Sequence, residues 1–584
     1  MTRRLLLLAG LVSTVVGLSA QERAGNAEWR TYGGDLANTR YSPLHQINRD
    51  NFKDLEVAWR LKTENFGPRP EYNFESTPLM VGGVLYTTAG LPRVVVAADA
   101  ATGEMLWMHR LDEGERGAKA PQRVGSRGLA YWDDGRSGRI FYVTHGYQLI
   151  ALDAASGRRM AGFGTDGIVD LKQGMDQEID PVSGAVGLNA TPTVAGDTII
   201  VGAALNERPQ ATGNVKGYVR GYDARTGKRR WIFHTIPQAD EFGSDTWLND
   251  SWRDAGHTGV WGQISVDEDL GIVYLPTEMP TNNYYGGRRP GDNLFSDSLV
   301  AVDLKTGERI WHFQFIHHDL WDWDLPCAPI LADITVDGRP IKAVAQPTKQ
   351  GWLYVFDRVT GEPVWPIEER PVPQGDVPGE WYSPTQPFPT KPPAFDRQGV
   401  SLDDLIDFTP ELKAEAVKIV SNYRLGPIFT PPSVADANGT RGTLMMPSNV
   451  GGANWPGGSL DPETGIVYVH SWTFAGLVGL VNDPELDYVR GRPSVPESVQ
   501  GLPLIKPPWG RITAIDLNRG EIVWQVPHGE TPDPVREHPA LQGLNHPADG
   551  GTVAVGGLLP ASRDPRHEDA PHRWRQRVVH DGVR

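Results

Sequence analysis

The chain has 584 residues and a single cysteine, Cys327, so it is long enough to bury a large core and has to fold without an internal disulfide. Its 66 glycines and 48 prolines exceed the ~12% these residues usually supply, yet 19 tryptophans and 39% hydrophobic residues exclude disorder, so a turn-rich globular protein is expected. A formal net charge of -16 argues against phosphate-backbone binding, where positive charge supplies most of the affinity, and nucleic acid is not an expected partner.

At the amino end Arg3 and Arg4 precede an apolar run from Leu5 to Leu18, then Ser19, Ala20 and Gln21. This reads as a secretory signal over residues 1–20, cleaved near Ala20. The run is short for a bilayer crossing, and a one-span anchor is the alternative. A periplasmic mature protein is expected, with membrane contact at most peripheral. One cysteine leaves no CxxCH haem site and no lipid-acceptor residue at the end of the signal.

From there the chain repeats itself: an Asp, a Gly four residues on and a Trp eight residues on. The full copies are Asp99-Gly103-Trp107, Asp223-Gly227-Trp231, Asp303-Gly307-Trp311, Asp357-Gly361-Trp365 and Asp516-Gly520-Trp524; weaker ones around Asp153, Asp267 and Asp461 lack the Trp. Each copy predicts strand, turn and strand, with the Gly at positive φ. Asp99 and Asp153 are 54 residues apart, as are Asp303 and Asp357, while Asp461 and Asp516 are 55 apart. Such spacing leaves room for about four strands per repeat, the size of a propeller blade, with the Trp packed between neighbouring sheets.

A Pro-rich and helical insertion is read over residues 366–425: nine prolines from Pro366 to Pro393 predict an extended surface excursion, and helical spacing follows through Leu405, Leu412, Ala416 and Ile419. The last segment, 561–584, holds six Arg, three His and no Lys, without strand periodicity. A frameshift or truncation that removes most of a final blade is one reading; a basic partner-binding tail is the other.

The five repeats, the opening YGGDLANTRYSPLHQINRDNFKDLEVAW and the strings HHDLWDWDLP and PTKQGWLYVFDR resemble the quinoprotein dehydrogenases, closest to their glucose and polyol branch without its membrane-spanning region. The resemblance runs from about Trp29 to Leu559. It implies an all-β, eight-bladed β-propeller over 21–560, its last blade incomplete, holding pyrroloquinoline quinone (PQQ) and Ca²⁺, with Mg²⁺ or a lanthanide as alternatives.

It further implies oxidation of an alcohol, sugar or polyol, with electrons passed to ubiquinone or a cytochrome c. Such chemistry needs a base for the hydroxyl proton and a Lewis acid at the quinone. By the family motif Asp322 is the catalytic base, and Lys349 stands against the quinone oxygens. Glu75, Arg127, Asn189, Trp261, Asn454 and Trp455 match cofactor contacts, Trp261 being the residue on which the ring stacks and blade packing its plain alternative. Metal ligands fall on Glu207, Asp322 and Asp324. The position of the family's Asn ligand carries Met279, a poor donor for a hard cation, so Glu278 beside it is the substitute. A noncatalytic propeller scaffold and a degenerate, inactive enzyme are the competing readings.

Overall fold

The computed structural model describes residues 28–64, 66–67, 75–91, 93–121, 127–206, 208–435 and 439–542. The signal segment, Glu207, the end of the expected last blade and the tail 561–584 lie outside the described residues.

The repeat folds as its residue types dictate. Asp223 accepts the Thr226 amide at 2.8 Å and its hydroxyl at 2.9 Å, and the Gly227 amide returns to the Asp223 carbonyl at 2.8 Å with φ 73° at the glycine. The same turn joins strand Ser298–Asp303 to Arg309–Gln314, with Ala301 opposite Trp311. Three of these indoles then reach the next repeat, donating to the carbonyl one residue past that repeat's Asp: Trp107 to Ala154 at 3.0 Å, Trp231 to Leu304 at 3.0 Å and Trp311 to Arg358 at 3.1 Å. The ring covers the turn glycine so closely that a Cβ at Gly307 would lie 2.7 Å from Trp231, and one at Gly157 2.4 Å from Trp107. The glycine therefore supplies both a backbone conformation and a seat for the ring. Trp59, outside the repeats, docks in the same way on Ala100 and Gly103.

Six antiparallel sheets follow one another, at 79–109, 130–170, 193–233, 265–314, 330–357 and 458–527; all have four strands except the fifth, which has three. Trp365 covers Gly520 and so links the fifth to the sixth. Buried apolar layers fill the spaces between sheets, such as Ile200, Val219, Val273 and Leu275 between the third and fourth. None of the sheets closes on itself among the described residues. One expectation needs correction: the copies at Asp461 and Asp516 belong to one sheet, as do those at Asp267 and Asp303, so that 55-residue spacing is not a blade period. An Asp-to-Gly turn closes inner and outer hairpins alike, and the outer one at Asp153 lacks the Trp.

Residues 29–39 run as a thread along the innermost strands. Trp29 pairs with Met80 in both directions at 2.9 Å, and the carbonyls of Leu36, Ala37 and Thr39 accept the amides of Val266, Leu331 and Leu460 at 2.9, 3.0 and 2.8 Å. One short segment thus ties the first, fourth, fifth and sixth sheets.

The insertion is folded rather than extended. A hairpin pairs Ile367–Pro371 with Thr385–Pro389, and helix Pro410–Val420, capped by the Thr409 hydroxyl, buries Leu412, Ala416 and Val420. Leu405 precedes this helix, and its buried stripe ends at Val420 rather than Ile419. The helix packs on Leu444, Leu477 and Trp509. A mixed sheet stands beside it, in which Gly476–Asp483 pairs with Thr443–Met445, Ser433–Val434 and Asp487–Arg490. Among the described residues no helix is long and apolar enough to cross a membrane.

Candidate active site

The string 317–326 is a loop leaving the fourth sheet, and its aspartates shape it. The buried Asp319 carboxylate accepts the Trp321 amide at 2.7 Å and the Trp323 amide at 2.8 Å, which folds the loop into a tight arc. Asp322 at the crest has φ 60°, a left-handed conformation rare outside glycine that costs about 1 kcal/mol or more. The two indoles stack at 5.4 Å and donate to the carbonyls of Thr430 and Ser448. From the insertion, Glu380 meets the buried His318 at 3.0 Å and the Gly286 amide at 2.6 Å, which pins the loop from its other side.

Lys349, in the turn after strand Arg339–Pro347, sends its ammonium into this arc. It lies 2.5 Å from Asp324 Oδ1, 2.8 Å from the Asp322 carbonyl and 3.7 Å from Asp322 Oδ1. Burial works against its charge, but Asp324 and Asp322 outweigh that and hold its pKa above the ordinary lysine value. The other oxygen of Asp324 accepts the Trp261 indole N–H at 2.5 Å. Arg127 lies over the rings of Trp261 (5.4 Å) and Trp455 (4.7 Å) and 3.3 Å from Glu75, and its amide donates to the Asn189 carbonyl. Burial lowers its pKa, and Glu75 offsets part of that. Asn454 accepts the Trp455 amide, while its carbonyl receives the Cys327 thiol at 2.9 Å. Glu75, Arg127, Asn189, Trp261, Asp322, Asp324, Lys349, Asn454 and Trp455 are therefore one contiguous site, reached from widely separated sheets.

The metal set converges less. Asp324 gives its oxygens to Lys349 and Trp261, and Glu278 turns Oε1 onto the Gly259 amide at 3.0 Å. Among the described residues no three His, Cys, Asp or Glu side chains form a ready metal cluster, and Glu207 lies outside them. Two acids nearby were not expected from sequence. Asp297, fully buried, has no hydrogen-bond partner for either oxygen, and burial with Asp319 and Asp324 holds its pKa well above the carboxylate range. Burial also raises that of Asp319, to about 6, against the two tryptophan amides.

The residues fit a planar polyanion. Arg127 Nε and Nη1 and Gln263 Nε2 are buried donors without hydrogen-bond partners, and two indole faces lie beside Arg127. Buried cationic donors left unpaired are costly unless an anionic group meets them.

The glucose/ethanol/alcohol dehydrogenase β-propeller family, whose cofactor is PQQ, matches residues 29–565. The chain belongs to that family. It is thus a quinoprotein dehydrogenase, an enzyme that oxidises CH–OH groups with PQQ. Among its relatives, the glycerol dehydrogenase large subunit of Gluconobacter oxydans is 32% identical over 88% of this chain and 73% of its own length. Quinoprotein glucose dehydrogenase A of Acinetobacter calcoaceticus is 30% identical over 94% of this chain and 73% of its own. The crystal structure of quinohemoprotein alcohol dehydrogenase from Comamonas testosteroni superimposes with a TM-score of 0.61 at 25% identity, covering 86% of this chain and 67% of that one.

Sequence reasoning also missed Tyr284, whose hydroxyl lies 3.0 Å from Asp322 Oδ2, and Arg490, 2.8 Å from that hydroxyl. Their separations of 38 and 206 residues left no local pattern to find.

Proposed function

We propose that this dehydrogenase acts in the periplasm on a sugar, polyol or other small alcohol, with Asp322 as the general base. The observation that carries the reading is the pairing of a crested, partly accessible carboxylate with a buried ammonium: Asp322 keeps 16% of its side-chain surface, Lys349 5%. Asp322 takes the hydroxyl proton as the alcohol becomes a carbonyl compound. Lys349, fixed by Asp324, holds a positive charge where negative charge develops on the acceptor, and needs no reorganisation to do so. Bound PQQ supplies the two-electron, hydride-accepting chemistry, and Trp261, Trp455, Arg127, Glu75, Asn189 and Asn454 hold it. A divalent or lanthanide ion would draw its oxygens from Glu207, Asp322, Asp324 and Glu278, and would have to displace the Lys349 and Trp261 contacts of Asp324 to use that carboxylate; Met279 adds nothing for a hard cation. The two electrons leave for a separate quinone or cytochrome acceptor.

The test is dye-linked oxidation of glucose, glycerol, quinate and short alcohols by the chain loaded with PQQ and Ca²⁺ or La³⁺. Asp322→Asn should lose turnover by at least 10³-fold, roughly the scale of general-base catalysis with its alignment, while quenching of tryptophan fluorescence by PQQ is kept. Turnover at the wild-type rate in that variant removes Asp322 from the role.

A further inference from the structure

Asp322 is held by a second device besides Lys349. Tyr284, in the segment after strand Ile272–Pro276, is 8% exposed and points its hydroxyl at Asp322 Oδ2. Arg490 ends a hairpin of the mixed sheet, Gly476–Asp483 with Asp487–Arg490, and donates through Nη1 to the same hydroxyl. An arginine only donates, and a tyrosine has one hydroxyl proton. With Arg490 donating into the oxygen, that proton has to go to Asp322. The direction of both bonds is therefore fixed by chemistry.

Arg490 is itself well anchored. Nη2 reaches the carbonyls of Leu477 and Ser494 at 3.0 Å each, Nε reaches Leu477 at 3.3 Å, and the guanidinium lies 4.7 Å over the Tyr284 ring. The two carboxylate oxygens of Asp322 thus differ: Oδ2 accepts from Tyr284, and Oδ1 is turned toward Lys349.

We propose that Tyr284, backed by Arg490, is a positioning residue that fixes the orientation of the Asp322 carboxylate through its Oδ2 oxygen. This rests on Asp322 being the base. The left-handed backbone at Asp322 supports it, because a strained crest persists only where its surroundings over-determine it. The supporting arginine comes from the mixed sheet beside the insertion, so an element outside the repeat series sets the geometry of the reacting group.

The experiment uses the PQQ- and metal-loaded chain. Tyr284→Phe keeps the buried ring and removes one oxygen. A misdirected base predicts a fall in kcat of about 10- to 100-fold, with KM for the alcohol and PQQ affinity by fluorescence titration within about twofold. Arg490→Gln should lower kcat in the same direction, and the double variant should be no slower than Tyr284→Phe, because Arg490 acts through the hydroxyl. A crystal structure of Tyr284→Phe should show the Asp322 carboxylate rotated. Unchanged kcat in Tyr284→Phe, or losses that multiply in the double variant, overturns the proposal. Arg490→Lys, which keeps a donor, covers the case of poor folding in Arg490→Gln: near-wild-type kcat supports the relay, and a loss equal to that of Arg490→Gln overturns it. If Asp322→Asn retains turnover, the reading of the base fails; if Asp322→Asn is inactive and Tyr284→Phe is unaffected, only the positioning role fails.

Discussion

Removing the Lys349 ammonium tests whether it is the counter-ion of Asp324. Both side chains are 5% exposed and their charged atoms lie 2.5 Å apart, so Lys349→Met leaves a buried carboxylate with the Trp261 N–H alone. Breaking one partner of a buried pair costs about 3–5 kcal/mol. Unfolding entropy of ~2.1 cal/mol/K per residue, over roughly 500 folded residues, makes 1 kcal/mol worth about 1 °C in Tm. Calorimetry of the metal-free chain at one scan rate should therefore place Lys349→Met about 3–5 °C below wild type. Asp324→Asn removes the charge that the ammonium answers, so the double variant Lys349→Met/Asp324→Asn should recover about half or more of that loss. If the double variant loses the sum of the two single losses, the two groups are not coupled and the reasoning fails.

The docking of indole on glycine can be separated from backbone conformation. Gly307 (φ 72°) and Gly271 (φ 67°) share a left-handed backbone, but a Cβ at Gly271 meets nothing within 4 Å whereas one at Gly307 strikes the Trp231 ring. Alanine at Gly271 should cost about 1–2 kcal/mol, and at Gly307 a further ~1–3 kcal/mol; equal Tm losses would refute ring docking as the reason. Burial, with Arg309 nearby, lowers the pKa of His312 to about 4. The unfolded chain, with a histidine near 6.5, takes up the proton first, so this contribution to stability is complete above pH 6.5 and is lost as pH falls toward 4. His312→Gln should flatten the dependence of Tm on pH across that window, and an unchanged slope would count against it.

What the sequence revealed was local. The Asp-to-Gly-to-Trp spacing is one turn and one strand, so its hairpins and their indoles were legible, while the docking of Trp59 on Gly103 was not, because no Asp-to-Gly turn precedes Trp59 in the chain. Spacing alone misjudged Asp461 and Asp516, since the same turn chemistry serves both hairpins of a sheet. Family motifs named residues that meet at Asp322 and Lys349. They said nothing of Tyr284, Arg490 or Asp297, whose importance comes from chain crossings and burial rather than from neighbours in sequence.

The thread of residues 29–39 has a consequence for assembly. Its first residue, Trp29, can pair with Met80 once the first sheet exists, but Thr39 pairs with Leu460, so the thread is not complete until the sixth sheet has formed. Arg40, at its end, donates to the Pro456 carbonyl beside Trp455, so the last anchor of the thread adjoins the proposed cofactor wall. A change at Arg40 would therefore loosen the thread and the neighbourhood of Trp455 together.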